Sequence, residues 1–324
     1  MNKTRKIAFI YPGQGAQYVG MGRDIAEQYE SAAAIYRAAT AALGLNMEAL
    51  IFNSDEETLK ITENTQPALL TTCVASTQPL LEAGILPEVA AGLSIGEYAA
   101  HVIAGTLTFE DAVRSVKLRG RFMQEEVPVG KGGMAAIMGL DAEAVERCCR
   151  EAETAVAATD VQNKGFIVEP VNFNCPGQIV VAGNTETVEA AAALCGQNGA
   201  KKATILTVSA PFHSSLMRGA GEKLDRAFED IAFHKMNMPV VSNVTAAYID
   251  TTEQVRDLLV RQVYSAVKWE QCVRAMLDKG IDTFVEIGPG KTLAGFIKRI
   301  DKEVPVYRVG DSESLESTVN ALKA

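Results

Sequence analysis

The sequence predicts an α/β protein in which a mostly parallel sheet is covered by helices on both faces. Short apolar runs, such as residues 6–11, 89–93 and 283–287, alternate with longer stretches whose apolar residues recur at helical spacing. Several of those runs end in glycine or proline and feed directly into a helix. The middle of the chain keeps a different rhythm, which predicts a separate inserted unit.

Taken in order, residues 6–11 form a run closed by Pro12-Gly13, as expected of a buried strand entering a tight loop. Helical spacing follows over 21–43 and again over 67–83. Pro67 would stand where a first helical turn tolerates it, and Pro79 would kink the helix late. Strand 89–93 runs straight into Ser94-Ile95-Gly96-Glu97 and a helix to 104. Another helix spans 110–126 and stops before Pro128 and the glycine-rich stretch 130–133.

That stretch reads as a linker. Strand 134–140 precedes a helix capped by Asp141 and running to 153. Strands 168–175 and 178–183 flank a Pro176-Gly177 turn, and a helix over 185–196 leads to a β-rich run over 203–208. The order β, α, β, β, α, β is the ferredoxin-like pattern. It makes 130–206 a small subdomain set into a larger body of residues 1–129 and 207–324.

The α/β rhythm then resumes with a helix over 214–228, a strand over 239–243 and helices over 253–264 and 269–278. Strand 283–287 enters Gly288-Pro289-Gly290 and a helix to 300, and the run 304–309 closes the core. Ligands of open parallel sheets bind beyond the carboxyl ends of the strands. The loops at Gly13, Ser94, Asn243 and Gly288 are therefore expected to meet at one site.

Composition narrows the function. With 48% hydrophobic and 22% charged residues over 324 positions, the chain has ordinary globular content and no apolar run long enough to span a membrane. Its basic start precedes an apolar stretch too short for a signal peptide, so a cytoplasmic location is expected. Six cysteines without a CxxC are expected to be buried thiols, and three histidines are poor material for a zinc cage, so no metal is expected. A net charge of −9 argues against nucleic acid and leaves small molecules or proteins as partners.

Gly92-Leu93-Ser94-Ile95-Gly96 fits G-x-S-x-G, in which a sharp strand-to-helix turn presents a serine. A serine hydroxyl needs a base to become a nucleophile. His101 lies two turns along the same helix, out of reach, and His234 sits beside Lys235 in a polar connection. His213, in the loop Pro211-Phe212-His213, is the best base available, and no acid for a triad stands out. Gly13-Gln14-Gly15 fails as a dinucleotide fingerprint because Tyr18 stands where the third glycine belongs. That loop can instead aim a backbone N–H at the substrate and, with the N–H of Ile95, form an oxyanion hole. Arg119, late in an apolar helix, can clamp a carboxylate with both arms of its guanidinium, with Arg121 as its local competitor.

The segments Tyr11-Pro-Gly-Gln-Gly-Ala-Gln17, Gln66-Pro67-Ala68, Gly92-Leu-Ser-Ile-Gly-Glu97, Arg119-Gly-Arg-Phe-Met-Gln124, Val171-Asn-Phe-Asn-Cys-Pro-Gly-Gln178, Pro211-Phe-His213, Arg261-Gln262 and Glu286-Ile-Gly-Pro-Gly-Lys291 occur in this order. Together they resemble the malonyl-CoA:acyl carrier protein transacylases, over nearly the whole chain. The resemblance implies an α/β-hydrolase-like core interrupted by a ferredoxin-like subdomain. It also implies Ser94 as the acylated nucleophile and His213 as base and then acid, oriented by the main-chain carbonyl of Gln262 in place of a carboxylate. Gln14 and Ile95 would supply the oxyanion N–H groups, and Arg119 would hold the malonyl carboxylate. Gln66, Asn172, Asn174 and Gln178 would lie near the cleft.

The same resemblance implies malonyl-CoA and a phosphopantetheinylated acyl carrier protein as substrates, no bound cofactor, and a ping-pong transfer feeding fatty acid elongation. Phe212 is similar to the residue of malonyl-selective polyketide acyltransferases, where it would crowd an α-methyl group. One departure is Leu93, where histidine often precedes the nucleophile. Carrier proteins are typically acidic, so docking on this acidic chain needs a local basic patch. Lys291, Lys298 and Arg299, at i, i+7 and i+8, are expected to share a helix face. The alternatives are a trans-acting polyketide acyltransferase, a serine thioesterase or hydrolase using water, and a non-catalytic scaffold. A monomer is expected.

Overall fold

The computed structural model describes residues 5–159, 165–208 and 210–324. The basic first residues, 1–4, and Ser209 before the Pro211-Phe212-His213 loop lie outside the described residues. Strand β1 (Ile7–Tyr11) is followed by helices α1 (Arg23–Gln28), α2 (Glu30–Leu43), α3 (Met47–Asn53), α4 (Glu56–Lys60) and the long α5 (Thr62–Glu82). Strand β2 (Val89–Gly92) leads to α6 (Gly96–Ile103) and α7 (Phe109–Glu126). The middle segment comprises β3 (Gly132–Met138), α8 (Ala142–Thr159), β4 (Val168–Cys175), β5 (Gln178–Asn184), α9 (Thr185–Gln197) and β6 (Lys202–Ile205). The chain returns through α10 (Arg218–Ala227), β7 (Val240–Val241), α11 (Glu253–Gln262), α12 (Trp269–Asp278), β8 (Thr283–Ile287), α13 (Thr292–Ile300), β9 (Val306–Val309) and α14 (Ser312–Lys323).

Five strands form a parallel sheet in the order β7-β2-β1-β8-β9. Every residue of β1, β2 and β8 is buried, as helices on both faces require. Alternation along β1 divides the core: Ile7, Phe9 and Tyr11 join the cluster on one face, Ala8 and Ile10 the cluster on the other. Tyr11 pairs with Gly92 and Ile10 with Glu286, so the loops after β1, β2 and β8 leave the sheet side by side. A second sheet, antiparallel in the order β4-β5-β3-β6, packs its own core against α8 and α9. A parallel bridge from Asn172 on β4 to Val267, in the connection between α11 and α12, ties this sheet to the larger body.

Local chemistry explains the elements that hold the site. Helix α7 starts at Thr108, whose hydroxyl accepts the Asp111 N–H at 3.1 Å, and acidic Glu110 and Asp111 complement its first turn. Its buried face carries Ala112, Val116, Arg119, Gly120 and Met123. A Cβ on Gly120 would meet the Thr62 carbonyl at 2.7 Å, so α7 lies directly on the start of α5. At the turn after β2, a Cβ on Gly92 would fall 1.9 Å from the Gly96 carbonyl carbon, and one on Gly96 would fall 2.3 Å from the Tyr11 carbonyl oxygen. Both glycines are demanded by contact.

Several expectations are corrected. The helix expected over 21–43 is broken at Tyr29, which is extended (φ −123°, ψ 113°) and stands as the cap between α1 and α2, its side chain packed against the core. Helix α5 begins at Thr62, so Pro67 lies inside the helix and not in its first turn. Helices α3 and α4 were not anticipated; each is short and starts at a side-chain cap, Asn46 and Asp55. The strand expected over 239–243 pairs only at Val240 and Val241, the run over 203–208 is a strand only from Lys202 to Ile205, and the helix expected to end at 153 continues to Thr159. Among the described residues no helix is long and apolar enough to cross a membrane.

The glycine contacts generate a prediction. Gly92→Ala forces backbone against backbone and is expected to destabilise the fold by about 3 kcal/mol or more in urea unfolding, the upper end of overpacking penalties. A loss under about 0.5 kcal/mol would contradict the close approach of β2 and α6.

Candidate active site

Ser94 occupies the turn between β2 and α6 with φ 53°, a left-handed conformation costly for a residue with a Cβ. The strain is held by Asn243, the residue just beyond β7. Its Oδ1 accepts the Ser94 N–H at 2.7 Å, while its Nδ2 donates to the Gly92 carbonyl at 2.8 Å. The neighbouring strand thus clamps the turn from both sides.

His213 also has a left-handed backbone, φ 65°, in the loop that re-enters the larger body. Its Nε2 lies 2.8 Å from Ser94 Oγ and its Nδ1 lies 2.8 Å from the main-chain oxygen of Gln262. A carbonyl oxygen only accepts, so Nδ1 carries the proton and Nε2 is left to take the one on the serine. Burial pushes this imidazole down to about 3, with the charge of Arg119 acting in the same direction and the Gln262 carbonyl opposing. The base is therefore held neutral and aimed.

Arg119 is only 1% exposed, whereas Arg121 is exposed and lies over its neighbour Phe122. Arg119 Nη1 donates to Gln66 Oε1 at 2.9 Å, and Nη2 donates to Gln262 Oε1 at 3.1 Å and to Ser94 Oγ at 3.2 Å. All three acceptors are neutral, and among the described residues no carboxylate forms an ion pair with it. Burial lowers its pKa, with Tyr98 and Glu97 opposing. A guanidinium in this state can receive an anion beside the serine.

A cavity of about 280 Å³ opens over Ser94. Gln14, Gln66, Leu93, Arg119, Phe212 and His213 line it from the larger body, Asn172 and Asn174 from β4. The asparagines, two apart on one strand, reach the same cavity, and Met134, Val180, Leu206 and Val208 give it an apolar wall. Among the described residues, neither the Gln14 nor the Ile95 main-chain N–H has a protein acceptor. Gln262 bonds twice over: its main chain to His213, its side chain to Arg119, to the Ser94 carbonyl and to Glu97.

One expectation is corrected. Gln178 does not line the cavity; it sits at the start of β5 opposite Met138, with its Oε1 accepting Arg299 Nη1 at 2.9 Å, because the hairpin turns away after Asn174. Lys291, Lys298 and Arg299 are all exposed, and among the described residues none of them has a carboxylate partner. Lys298 Nζ donates to the carbonyls of Lys302 and Val304, Arg299 holds Gln178 and the Pro176 carbonyl, and Lys291 is the cap before α13. Asn243 and Glu97 were given no role by sequence, although the first holds the elbow and the second holds Gln262. His101 is buried behind the site and His234 is exposed, so neither competes with His213. Among the described residues no cluster of histidine, cysteine, aspartate and glutamate could hold a metal.

Comparison with known proteins agrees in sequence and in fold. The model of the acyl transferase domain family matches residues 8–309. The malonyl CoA-acyl carrier protein transacylase of Bacillus subtilis is 43% identical over 319 residues, 98% of each chain. That of Escherichia coli K12 is 45% identical over 91% of this chain and 93% of its own. A crystal structure of an acyl carrier protein S-malonyltransferase from Vibrio cholerae superposes with a TM-score of 0.90 at 41% identity, covering 97% of this chain and 99% of that one. A malonyl-transacylase in complex with its type II polyketide synthase acyl-carrier protein gives 0.92 at 41% identity, covering 98% and 99%.

The state of His213 sets the acid side of the chemistry. A base with a lowered pKa stays unprotonated as the pH falls, so labelling of Ser94 by a fluorophosphonate is expected to change less than about twofold between about pH 8 and 5.5. An acid limb centred near the ordinary histidine value of about 6.5 would contradict the buried, neutral imidazole.

Proposed function

The chain belongs to the acyl transferase domain family, and from that premise we propose that it moves a malonyl group from malonyl-CoA to the phosphopantetheine thiol of a holo acyl carrier protein. The path runs through a malonyl ester on Ser94. His213 Nε2 takes the Ser94 proton as Oγ attacks the thioester carbonyl, and the resulting oxyanion is received by the N–H groups of Gln14 and Ile95. On collapse the carbon–sulfur bond breaks and His213 returns the proton to the coenzyme A thiolate. The carrier thiol then gives its proton to His213, attacks the ester and regenerates the serine hydroxyl.

The observation that carries this reading is Arg119, a buried guanidinium without an ion pair among the described residues, whose Nη2 sits 3.2 Å from Ser94 Oγ. A malonyl ester on Ser94 puts its free carboxylate within reach of that fork. An acetyl ester leaves the cation unpaired, a loss of about 1–3 kcal/mol for each partner missed. The carboxylate also offsets the positive charge that helps depress His213, so the correct substrate raises the basicity of its own base. Gln66 holds the second arm of the guanidinium, and Asn172 and Asn174 offer amides to the polar part of the acyl group. The apolar wall keeps water from the ester, which favours transfer over hydrolysis.

Around this site we read an α/β-hydrolase-like catalytic body, residues 1–129 and 207–324, interrupted by a ferredoxin-like subdomain over 130–206 that closes the cavity from the β4 side. The reaction needs no cofactor or metal, and calls on no nucleic acid or membrane. A monomer working in the cytoplasm, feeding fatty acid elongation, suits the buried free thiols and the self-contained site. The neighbour solved with its polyketide carrier favours a second setting, a carrier of polyketide synthesis, with the same chemistry.

Three outcomes are expected. Arg119→Ala lowers kcat/KM for malonyl-CoA about 100-fold while acetyl transfer persists or rises; undiminished malonyl selectivity would refute the clamp. Phe212→Ser admits methylmalonyl-CoA, raising its turnover relative to malonyl-CoA about tenfold; equal use of both by the unaltered protein would remove the steric argument. With holo acyl carrier protein present, malonate is recovered on the carrier; recovery only as the free acid would assign a hydrolase.

A further inference from the structure

Gln262 joins the two working groups of the site, and something must hold it still. Its carbonyl takes the proton of His213 Nδ1, and its Oε1 takes a hydrogen from Arg119 Nη2. The other end of the amide, Nε2, donates to the Ser94 carbonyl at 3.1 Å and to Glu97 Oε2 at 2.6 Å, the shortest of these contacts. Glu97 lies on α6 with 0% exposure and touches neither the cavity nor the serine hydroxyl. Its Oε2 also accepts the main-chain N–H of Asn243 at 3.0 Å, the residue whose side chain clamps the Ser94 turn.

A carboxyl group sunk in a core is costly, and packing alone would favour an apolar residue there. Its neighbours on α6, Tyr98, Ala99 and Ala100, are largely apolar and fully buried. The cost makes sense if the group has work to do at the site.

We propose that Glu97 is a positioning residue for acyl selection: it fixes the Gln262 amide so that Oε1 is presented to Arg119 and the main-chain carbonyl to His213. What matters is an acceptor oxygen at the right reach, not a negative charge. Both contacts to the site fall on one oxygen, Oε2, while Oε1 has no partner among the described residues and stands 3.9 Å from His101 Nε2, which also has none. An amide at position 97 would put its oxygen where Oε2 is and its NH₂ toward that histidine nitrogen. Burial pushes the Glu97 carboxyl up to about 7, against the hydrogen bonds from Asn243 and Gln262 and the charge of Arg119, so the uncharged form is accessible in working conditions.

The inference rests on the malonyl-transfer reading, and its test separates the two. Loading of Ser94 from malonyl-CoA and from acetyl-CoA is measured for the unaltered protein, Glu97→Gln and Glu97→Asp. The readout is the ratio of the two kcat/KM values, which does not depend on the fraction of folded protein. Glu97→Gln is expected to keep the ratio within about threefold, while Glu97→Asp, charged but one methylene short, lowers it about tenfold with a raised KM for malonyl-CoA. An aspartate variant with an unchanged ratio would reduce Glu97 to a structural residue and overturn the proposal. A glutamine variant as impaired as aspartate, or more so, would overturn it in favour of a charge role. If the unaltered protein loads both groups alike, it is the malonyl reading itself that fails.

Discussion

A guanidinium buried among neutral oxygens is the constraint from which the rest of this site follows. Removing the charge of Arg119 from water costs several kcal/mol, and hydrogen bonds to Gln66, Ser94 and Gln262 offset only part of that. Its remaining demand is for an anion, and the cavity over Ser94 opens beside it. The fold concentrates this demand deliberately: the absent side chain of Gly120 lets α7 settle on α5, bringing Arg119 and Gln66 together, and α11 delivers Gln262 from the far side. Selectivity and chemistry thus share one hydrogen-bonded cluster.

The same constraint accounts for the histidine's partner. A carboxylate against His213 would strengthen the base, but beside Arg119 it would also supply the counter-ion that the guanidinium lacks. A main-chain carbonyl orients the ring and adds no charge, leaving the arginine open to substrate. The carboxyl group of Glu97 is kept a residue away, behind the Gln262 amide. Charge is supplied where the substrate brings it.

Much of this was legible in the sequence, and the rest was hidden for identifiable reasons. Short continuous apolar runs, each leading into a turn, located β1, β2 and β8, as expected of strands buried on both faces. Ser94 announced itself by its flanking glycines, and His213 by the scarcity of rivals. Short capped helices such as α3 and α4 were missed because a helix of so few residues carries too little periodicity to register. Gln262 was reachable only through family resemblance, because a main-chain carbonyl has no signature in sequence. Asn243 and Glu97 act across 149 and 165 positions of chain, on Ser94 and Gln262 respectively, and no local pattern reports such a contact. Helical spacing placed Lys298 and Arg299 together on exposed positions of α13, but it could not report their hydrogen-bond partners, which lie in the α13–β9 connection and the β4–β5 turn.

In the proposed mechanism Ser94 carries the acyl group between two thiols and Arg119 keeps it malonyl. Intact mass spectrometry of the protein mixed with malonyl-CoA, beside Ser94→Ala, followed by a chase with holo acyl carrier protein, tests both roles. The expected result is a single malonyl adduct that requires Ser94 and passes to the carrier. Coenzyme A release that ends only in free malonate, or no adduct at all while Ser94 stays silent to a fluorophosphonate, would contradict it.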